Sequence, residues 1–411
     1  MLYDAYEVQR SLFAGASKLA GLGAGWLNNP ANPMAYSSMG PVVAASLDVF
    51  AHASATRGKP EFGLKTTTIG RKVVPVREEI VLRKAFGQLK RFVRVGAGEN
   101  DPKLLIVAPM SGHYATLLRG TVERLLPRHD VYITDWRDAK LVPLSQGTFD
   151  LDDYVDYLIE FLEAIGDTTG ERPHMLAVCQ PAPAAFAATA LMEADKNPWR
   201  PKTLTMMGGP IDTREAPTAI NTLATQRPLG WFQNNVVATV PMIYPGAGRK
   251  VYPGFMQLAG FMTMNLGDHL ISHWEMFRHL VDGDDDSADA TRDFYAEYRS
   301  VCDMSAEFYL QTVDVVFQRH LLPEGKYMHR KRRVDPAAIR DTALLAIEGE
   351  RDDISGIGQT RAALDIATAL PAKLKKYHLA KTVGHYGIFN GSKWRDRIAP
   401  VVEQWIAAHN G

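Results

Sequence analysis

The chain alternates short apolar runs with longer segments of helical periodicity. Apolar runs occupy residues 103–107, 129–136, 174–178 and 202–207, and a helical pattern over Asp152–Ile165 separates the second run from the third. Strands that alternate with helices in this way form a parallel sheet, because each helix carries the chain back across the sheet before the next strand begins. The pattern predicts a mostly parallel α/β sheet, and ligand sites of such sheets form at the carboxyl ends of the strands.

A cysteine stands at the end of the third apolar run. Cys179 is followed by Gln180 and Pro181, and then by a segment rich in alanine. A reactive side chain on a sharp strand-to-helix turn is the nucleophile elbow of α/β-hydrolases, usually written G-x-S-x-G, and here a thiol would replace the hydroxyl. Pro181 suits the first helical turn, where its missing N–H has no intrahelical partner. A cysteine that only fills the core is the alternative, because cysteine is among the most buried residue types.

Two residues nearer the C-terminus give the order expected of a hydrolase triad. The apolar run 343–347 ends in an acidic loop that contains Asp352, and a later strand breaks at His385, which lies in a Gly-His-Tyr-Gly turn. The order nucleophile, acid, histidine is that of α/β-hydrolases and differs from the orders in chymotrypsin and subtilisin. Asp352 is favoured over Asp353 because it lies three residues after Gly349. For His385 the alternative is a hydrogen-bonded structural histidine in the turn.

The loop at residues 108–114 follows the first strand and is expected to help stabilise an oxyanion. In α/β-hydrolases this loop provides one N–H donor, and the residue after the nucleophile, here Gln180, provides the other. By position, the loop donor would be Met110 or Ser111. His113 is a candidate for the lining of the site, although a lone loop histidine is more often structural or exposed.

Four motifs carry a resemblance to a known family. They are Val-Cys-Gln-Pro at 178–181, Thr-Asp-Trp-Arg at 134–137, Asp-Met-Ser-Ala-Glu-Phe-Tyr at 303–309 and Gly-His-Tyr-Gly-Ile-Phe at 384–389. With them the chain, from about Tyr3 to its end, resembles the intracellular polyhydroxybutyrate depolymerases, which are cysteine-dependent α/β-hydrolases related to the polyester synthases.

The resemblance implies a function and a set of site residues. It implies cleavage of ester bonds in poly(3-hydroxybutyrate) storage granules to 3-hydroxybutyrate monomers or oligomers, through an acyl-thioester and without a metal or other cofactor. Cys179 would be the nucleophile, Asp352 the triad acid and His385 the general base. The polyester would contact His113, Trp136, Phe255, Met256 and Tyr386.

The length of the chain suggests more than one ordinary α/β domain. We expect an N-terminal helical segment over residues 1–64 and an α/β-hydrolase core formed by 65–212 and 341–411. An inserted helical cap or lid would occupy 213–340.

Apolar residues within this cap recur at helical spacing. An inner face that accepts an apolar polyester is one interpretation, and ordinary packing of the cap is the other. The residues concerned are Leu270, Trp274, Phe277, Leu280 and Val281, then Ala306, Tyr309, Val313, Val316 and Phe317, and the Met- and Phe-rich stretch 255–264.

Composition restricts the partners and the compartment. The formal net charge is zero, which argues against nucleic acid or strongly anionic surfaces as partners. Cys179 and Cys302 are the only cysteines, too few for a secreted disulfide framework. We therefore expect a cytoplasmic protein without a transmembrane segment, and the resemblance implies that it acts at the surface of storage granules. Other granule-surface proteins and a second copy of the chain are candidate partners.

No metal site is expected from the sequence. His269 and His273 lack the glutamate of an H-E-x-x-H motif, and Asp284–Asp286 lacks the alternation of a calcium loop. The basic run Arg330–Arg333 fits a solvated surface better than a phosphate or CoA contact.

Alternative functions differ in the acyl acceptor or in having no chemistry. A polyhydroxyalkanoate synthase-like acyltransferase, or a depolymerase that transfers the acyl group to CoA, would use the same three residues. A non-catalytic granule-surface protein on a hydrolase scaffold is the third possibility.

Overall fold

The computed structural model describes residues 2–37, 39–54, 58–96, 98, 100–264 and 300–411. Strands and helices are numbered in chain order within these ranges. The strands are β1 Thr66–Ile69, β2 Lys72–Arg83, β3 Gly87–Arg94, β4 Lys103–Val107, β5 Asp130–Trp136, β6 His174–Val178, β7 Thr203–Met207, β8 Ala238–Thr239, β9 Lys250–Tyr252, β10 Met304–Ser305, β11 Met328–His329, β12 Arg332–Arg333, β13 Ala343–Gly349 and β14 Lys375–Ala380. The helices are α1 Leu2–Leu27, α2 Gly40–Ser54, α3 Arg119–Leu125, α4 Leu151–Thr169, α5 Ala182–Ala194, α6 Ala219–Gln226, α7 Leu229–Asn235, α8 Gly254–Met264, α9 Ala306–Thr312, α10 Ala362–Ile366, α11 Gly391–Lys393 and α12 Ala399–Ala408.

One large sheet organises the described part of the chain, in the strand order β1-β2-β3-β5-β4-β6-β7-β13-β14. The strands from β1 to β3, and the pair β3–β5, are antiparallel. The six strands from β5 to β14 are parallel. Every residue of β4, β5, β6, β7 and β13 is buried, as expected for strands that helices cover on both faces. This is the α/β-hydrolase fold that the sequence predicts.

Helix α4 illustrates why the covering helices form where they do. The Asp150 side chain accepts a hydrogen bond from the Asp153 N–H, and the Asp153 side chain accepts one from the Asp150 N–H, which makes a capping box. The helix ends at Gly170, whose positive φ of 71° suits glycine. Burial of each large apolar side chain contributes roughly 1.5–3 kcal/mol. The buried face includes Tyr154, Leu158, Phe161, Leu162 and Ile165.

The chain leaves the sheet after β7 and returns at β13, which is the neighbour of β7. The described part of this excursion contains α6, α7, α8, α9 and a small antiparallel sheet in the order β10-β9-β8. Several sequence features of the excursion lie outside the described residues, namely Leu270, Trp274, Phe277, Leu280 and Val281, the pair His269 and His273, and Asp284–Asp286.

Helices α1 and α2 pack against each other before the sheet begins. The Ser17 hydroxyl donates a hydrogen bond to the Ala51 carbonyl at 2.6 Å. A Cβ at Gly23 would lie 3.2 Å from a methyl group of Leu47, so the two helices approach closely there. In the described ranges, every helix is too short or too polar to cross a lipid bilayer.

Candidate active site

Cys179 lies in the turn between β6 and α5 with a left-handed φ of 64°. A positive φ is uncommon for a residue other than glycine and is tolerated only where the surroundings impose it. The Cys179 N–H donates to the Met207 carbonyl at 2.7 Å, and the Cys179 carbonyl accepts from the Ala182 N–H at 3.1 Å. These bonds fix the turn, and the thiol is left partly exposed.

Two glycines after β7 allow the turn and the histidine to come this close. A Cβ at Gly209 would lie 2.2 Å from the Cβ of Ala182 and 2.9 Å from the Cys179 carbonyl oxygen. Gly208 has a φ of 57°, and a Cβ there would lie 3.3 Å from the His385 ring. Neither glycine was among the predicted site residues, although a Gly-Gly pair directly after a buried strand is a sequence signal for such a close approach.

Asp352 and His385 are hydrogen-bonded to each other. Asp352 Oδ2 lies 2.8 Å from His385 Nδ1. Oδ1 of the same carboxylate accepts from the N–H groups of Ile354 and Ser355, at 2.9 and 2.8 Å. The Asp352 side chain is fully buried, whereas Asp353 is exposed. Of the two aspartates considered, it is therefore Asp352 that contacts the imidazole.

The imidazole of His385 and the side chain of Cys179 line the same cavity. Burial of the ring opposes its protonation, but the neighbouring Cys179 and Asp352 and the hydrogen bond to Asp352 outweigh it. Together they raise the pKa of His385 well above its ordinary value of 6.5.

The expected oxyanion donors lie beside the thiol, but one of them is occupied. The Met110 N–H donates to the Oε1 atom of the Gln180 side chain at 2.9 Å. The Gln180 side chain therefore covers this donor until an incoming oxygen replaces it. Gln180 and Ser111 both line the cavity above Cys179.

That cavity has a volume of about 630 Å³ and an apolar wall. Cys179 and His385 line it, and so do residues of the excursion between β7 and β13. The latter include Leu223 of α6, Phe232 of α7, Tyr252 of β9, Gln257 of α8, and Tyr309, Val313 and Phe317 of α9 and the turn that follows it.

Of the five residues expected to contact the polyester, His113 and Tyr386 line the cavity. Trp136 does not, which corrects the sequence-based expectation. Its indole is buried and donates to the Ala108 carbonyl at 2.8 Å, and its ring lies 4.4 Å from that of Tyr154. Trp136 thus holds the start of the loop that carries Met110, without reaching the cavity.

Phe255 and Met256 also lie away from the cavity lining, although they belong to helix α8, which contributes to it. The ring of Phe255 stacks on Tyr6 at 3.8 Å and on Tyr3 at 5.5 Å. These contacts with α1 turn Phe255 outward, and Gln257 faces the cavity instead. Periodicity within α8 could not reveal which face α1 would cover.

The second cysteine, Cys302, lies in different surroundings. Its thiol donates to the His113 carbonyl at 3.4 Å. Burial and the nearby charges of Asp138 and Asp303 raise the pKa of Cys302 well above its ordinary value of 9. Asp303 accepts a hydrogen bond from the Tyr3 hydroxyl and another from the Gly254 N–H at 2.9 Å. This cluster therefore joins α1, the start of α8 and the loop after β5.

Metal binding has no evident site in the part of the chain that the structure describes. No three histidine, cysteine or acidic side chains there are grouped so as to hold an ion.

The elbow, the histidine–carboxylate pair and the sheet order define an α/β-hydrolase with a cysteine at the nucleophile position. Residues 208–410, almost half of the chain, match the family model described as "PHB de-polymerase C-terminus". This match supports the PHB depolymerase family that the motifs of the chain resemble. It also supports an ester hydrolase.

Solved structures similar to this one include a lipase from Acinetobacter baumannii AYE and an esterase from Thermogutta terrifontis. Both are 13% identical with a TM-score of 0.42; the alignments cover 81% and 84% of this chain and 93% and 98% of theirs. The DcsB structure is 12% identical with a TM-score of 0.46, over 82% of this chain and 99% of that one. Similarity at this level concerns the fold alone. No curated protein matches the chain.

Proposed function

We propose that this protein hydrolyses ester bonds of poly(3-hydroxybutyrate), with Cys179 as nucleophile, His385 as general base and Asp352 as the acid that orients the histidine. The observation that carries the proposal is that His385, hydrogen-bonded to the buried Asp352 carboxylate, lines the same cavity as the partly exposed Cys179. The match to the depolymerase family model supports the choice of polyester.

Acylation begins when the Cys179 thiolate attacks an ester carbonyl carbon. The Gln180 side chain turns away from the Met110 N–H, and the developing oxyanion accepts hydrogen bonds from the N–H of Gln180 and from that of Met110 or Ser111. The bond between the carbonyl carbon and the ester oxygen then breaks. The departing 3-hydroxyl oxygen takes its proton from His385, and the acyl group remains on sulfur as a thioester.

Deacylation uses the same groups in reverse. His385 takes a proton from a water molecule, whose oxygen attacks the thioester carbonyl carbon. The carbon–sulfur bond breaks, Cys179 leaves as a thiolate, and a 3-hydroxyacyl carboxylate is released. Asp352 stabilises the imidazolium in both half-reactions, because its second oxygen is held by two backbone N–H groups.

The cavity wall supports an aliphatic polyester as substrate. The excursion between β7 and β13 contributes apolar side chains to this wall, such as Leu223, Phe232 and Val313. An ester chain with methyl branches would lose its water and pack against these apolar side chains. It carries no charge that would be buried without a partner. We place this activity at the surface of cytoplasmic storage granules.

The test compares the two cysteines on amorphous poly(3-hydroxybutyrate) granules. Cys179→Ala should abolish release of 3-hydroxybutyrate and its oligomers, and Cys302→Ala should retain activity within about twofold. Retained activity in Cys179→Ala would remove Cys179 from the mechanism. Product analysis with and without CoA identifies the acceptor: free acids in both reactions support hydrolysis, whereas release only with CoA would favour thiolysis.

A further inference from the structure

An apolar stripe runs along the outer face of α1. Among the side chains of helix α1 that the structure describes, six large apolar residues are exposed, and all but Phe13 are spaced by four, seven, three and four positions. This spacing keeps the five within roughly a quarter of the helix circumference. The stripe consists of Val8, Leu12, Leu19, Leu22 and Trp26, each 63–72% exposed.

The outer stripe is not the face by which α1 packs on the protein. Tyr3, Ser17, Ala20 and Ala24 are buried on the opposite side of the helix. In the connection to α2, Met34, Tyr36 and Met39 are exposed as well. Single exposed apolar residues are common, but a row of five on one face of a helix marks a binding surface.

The same region carries almost no charge. Within residues 11–54 only Lys18 and Asp48 are charged, although 22% of the whole chain is charged. A helix that binds anionic phospholipid carries several lysines or arginines beside its apolar face, because the lipid head groups attract them. The α1–α2 region lacks such residues and therefore suits an uncharged apolar surface.

The N-terminal end of α1 is attached to the wall of the catalytic cavity. Tyr6 stacks on Phe255 of α8, and the Tyr3 hydroxyl donates to Asp303, which also accepts from the first N–H of α8. Two residues beyond Phe255, Gln257 lines the cavity. A surface bound by the outer stripe would therefore be held close to the cavity wall.

We propose that the outer stripe and the α1–α2 connection bind the surface of the solid, uncharged aliphatic polyester, so that attachment and cleavage use different parts of the molecule. The choice of polymer rests on the proposed function. The stripe would bury its leucines and Trp26 against the polymer, while the cavity takes in a single chain.

The test measures partition of the protein onto protein-free amorphous poly(3-hydroxybutyrate) granules by co-sedimentation. All variants carry Cys179→Ala, so that binding is recorded without cleavage. The stripe variant is Leu12→Gln/Leu19→Gln/Leu22→Gln, which keeps good helix formers at exposed positions. The matched control is Val73→Gln/Leu144→Gln/Met328→Gln, at positions that are 64, 56 and 46% exposed elsewhere on the surface.

We expect the stripe variant to lose affinity for the granules by about 30-fold or more, and the control triple to bind as the parent does. Equal losses in both triples, or no loss in the stripe variant, would overturn the proposal. Binding of the parent to phosphatidylglycerol vesicles as tightly as to granules would also overturn it. The proposal would also be overturned if the parent is a dimer, the stripe variant is a monomer, and the two bind granules equally well.

Trp26 provides a second, spectroscopic measurement. It is 63% exposed, so its emission should shift to shorter wavelength when granules are added to the Cys179→Ala protein, and Trp26→Phe should remove that shift. An unchanged emission would contradict the proposal. If granule binding requires the stripe but the protein with Cys179 intact releases no acid, the attachment surface stands and the proposed function is rejected.

Discussion

Cys179 lies partly exposed at the end of a buried strand beside the imidazole of His385, whereas Cys302 lies buried near the carboxyl groups of Asp138 and Asp303. An imidazolium next to a thiol favours the thiolate, and carboxylates in a dry environment oppose it. The backbone differs as well, since Cys179 alone of the two has a positive φ. Cysteine is thus a candidate nucleophile at one position and a buried core residue at the other, because distant elements place different charges beside the two thiols.

Substitution of Asp352, the carboxylate hydrogen-bonded to His385, should greatly reduce activity. Asp352→Asn should lower kcat/KM on the polyester by about 10³–10⁴-fold, because a neutral amide cannot stabilise the imidazolium or fix its orientation. Asp353→Asn is the matched control and should stay within about twofold, since this carboxylate is exposed. Initial rates of acid release measure both. Similar losses in the two variants would mean that Asp352 has no special role.

Alkylation compares the two thiols directly. In the native protein iodoacetamide should modify Cys179 at least about 100-fold faster than Cys302, because Cys179 is partly exposed whereas Cys302 is buried and has a raised pKa. Mass spectrometry of peptides over a time course gives both rates from one sample. His385→Ala should slow the reaction at Cys179 and leave that at Cys302 unchanged. Equal rates at the two thiols would contradict the role proposed for Cys179.

The covered oxyanion donor gives a smaller effect. Gln180→Ala frees the Met110 N–H from a hydrogen bond worth about 1 kcal/mol and should raise kcat/KM for a soluble ester about fivefold. Gln180→Glu should lower kcat/KM, since a carboxylate binds the Met110 N–H more strongly and repels the oxyanion. A slower alanine variant would instead assign the carboxamide a role in stabilising the transition state.

A different kind of effect concerns stability near Cys302. Burial and the charge of Asp138 raise the pKa of Asp303 from 3.8 to about 6. Between these values the folded protein holds a proton that the unfolded chain releases, so the free energy of unfolding falls as the pH rises through this window. Asp303→Asn should remove that fall, on the order of 3 kcal/mol.

Urea unfolding at several pH values between about 3.5 and 7, for parent and variant, measures this difference. Asp353→Asn again serves as the control, because an exposed carboxylate should not change the dependence. A parent and an Asp303→Asn variant with parallel pH profiles would show that Asp303 ionises normally.

Local sequence was sufficient for the sheet and for the positions of the residues around Cys179. Buried parallel strands are continuous apolar runs, and β4, β6, β7 and β13 could be located from them. The spacing of Asp352 from Gly349 was enough to favour it over Asp353, since the turn after a strand has few conformations. The order of the three residues then followed from the chain itself.

The lining of the cavity could not be predicted in the same way. Trp136 and Phe255 are large aromatic residues in suggestive motifs, yet one packs on Tyr154 and the other on Tyr6. Each partner comes from a different element, and no periodicity within β5 or α8 records it. The hydrogen bond from Met110 to Gln180 is equally invisible in the sequence, because it joins two loops that meet only in the fold.

The sequence by itself determined the strand and helix pattern, the cysteine between a buried strand and Pro181, and a charge-poor N-terminal region. Only the tertiary structure decided that His385 meets Cys179, that Cys302 is enclosed near two carboxyl groups, and that the outer face of α1 stays uncovered. Local sequence predicts strands and helices because backbone preferences and apolar periodicity act between near neighbours along the chain. Burial, charge and contact at a given side chain depend on whichever distant segments the fold brings to it.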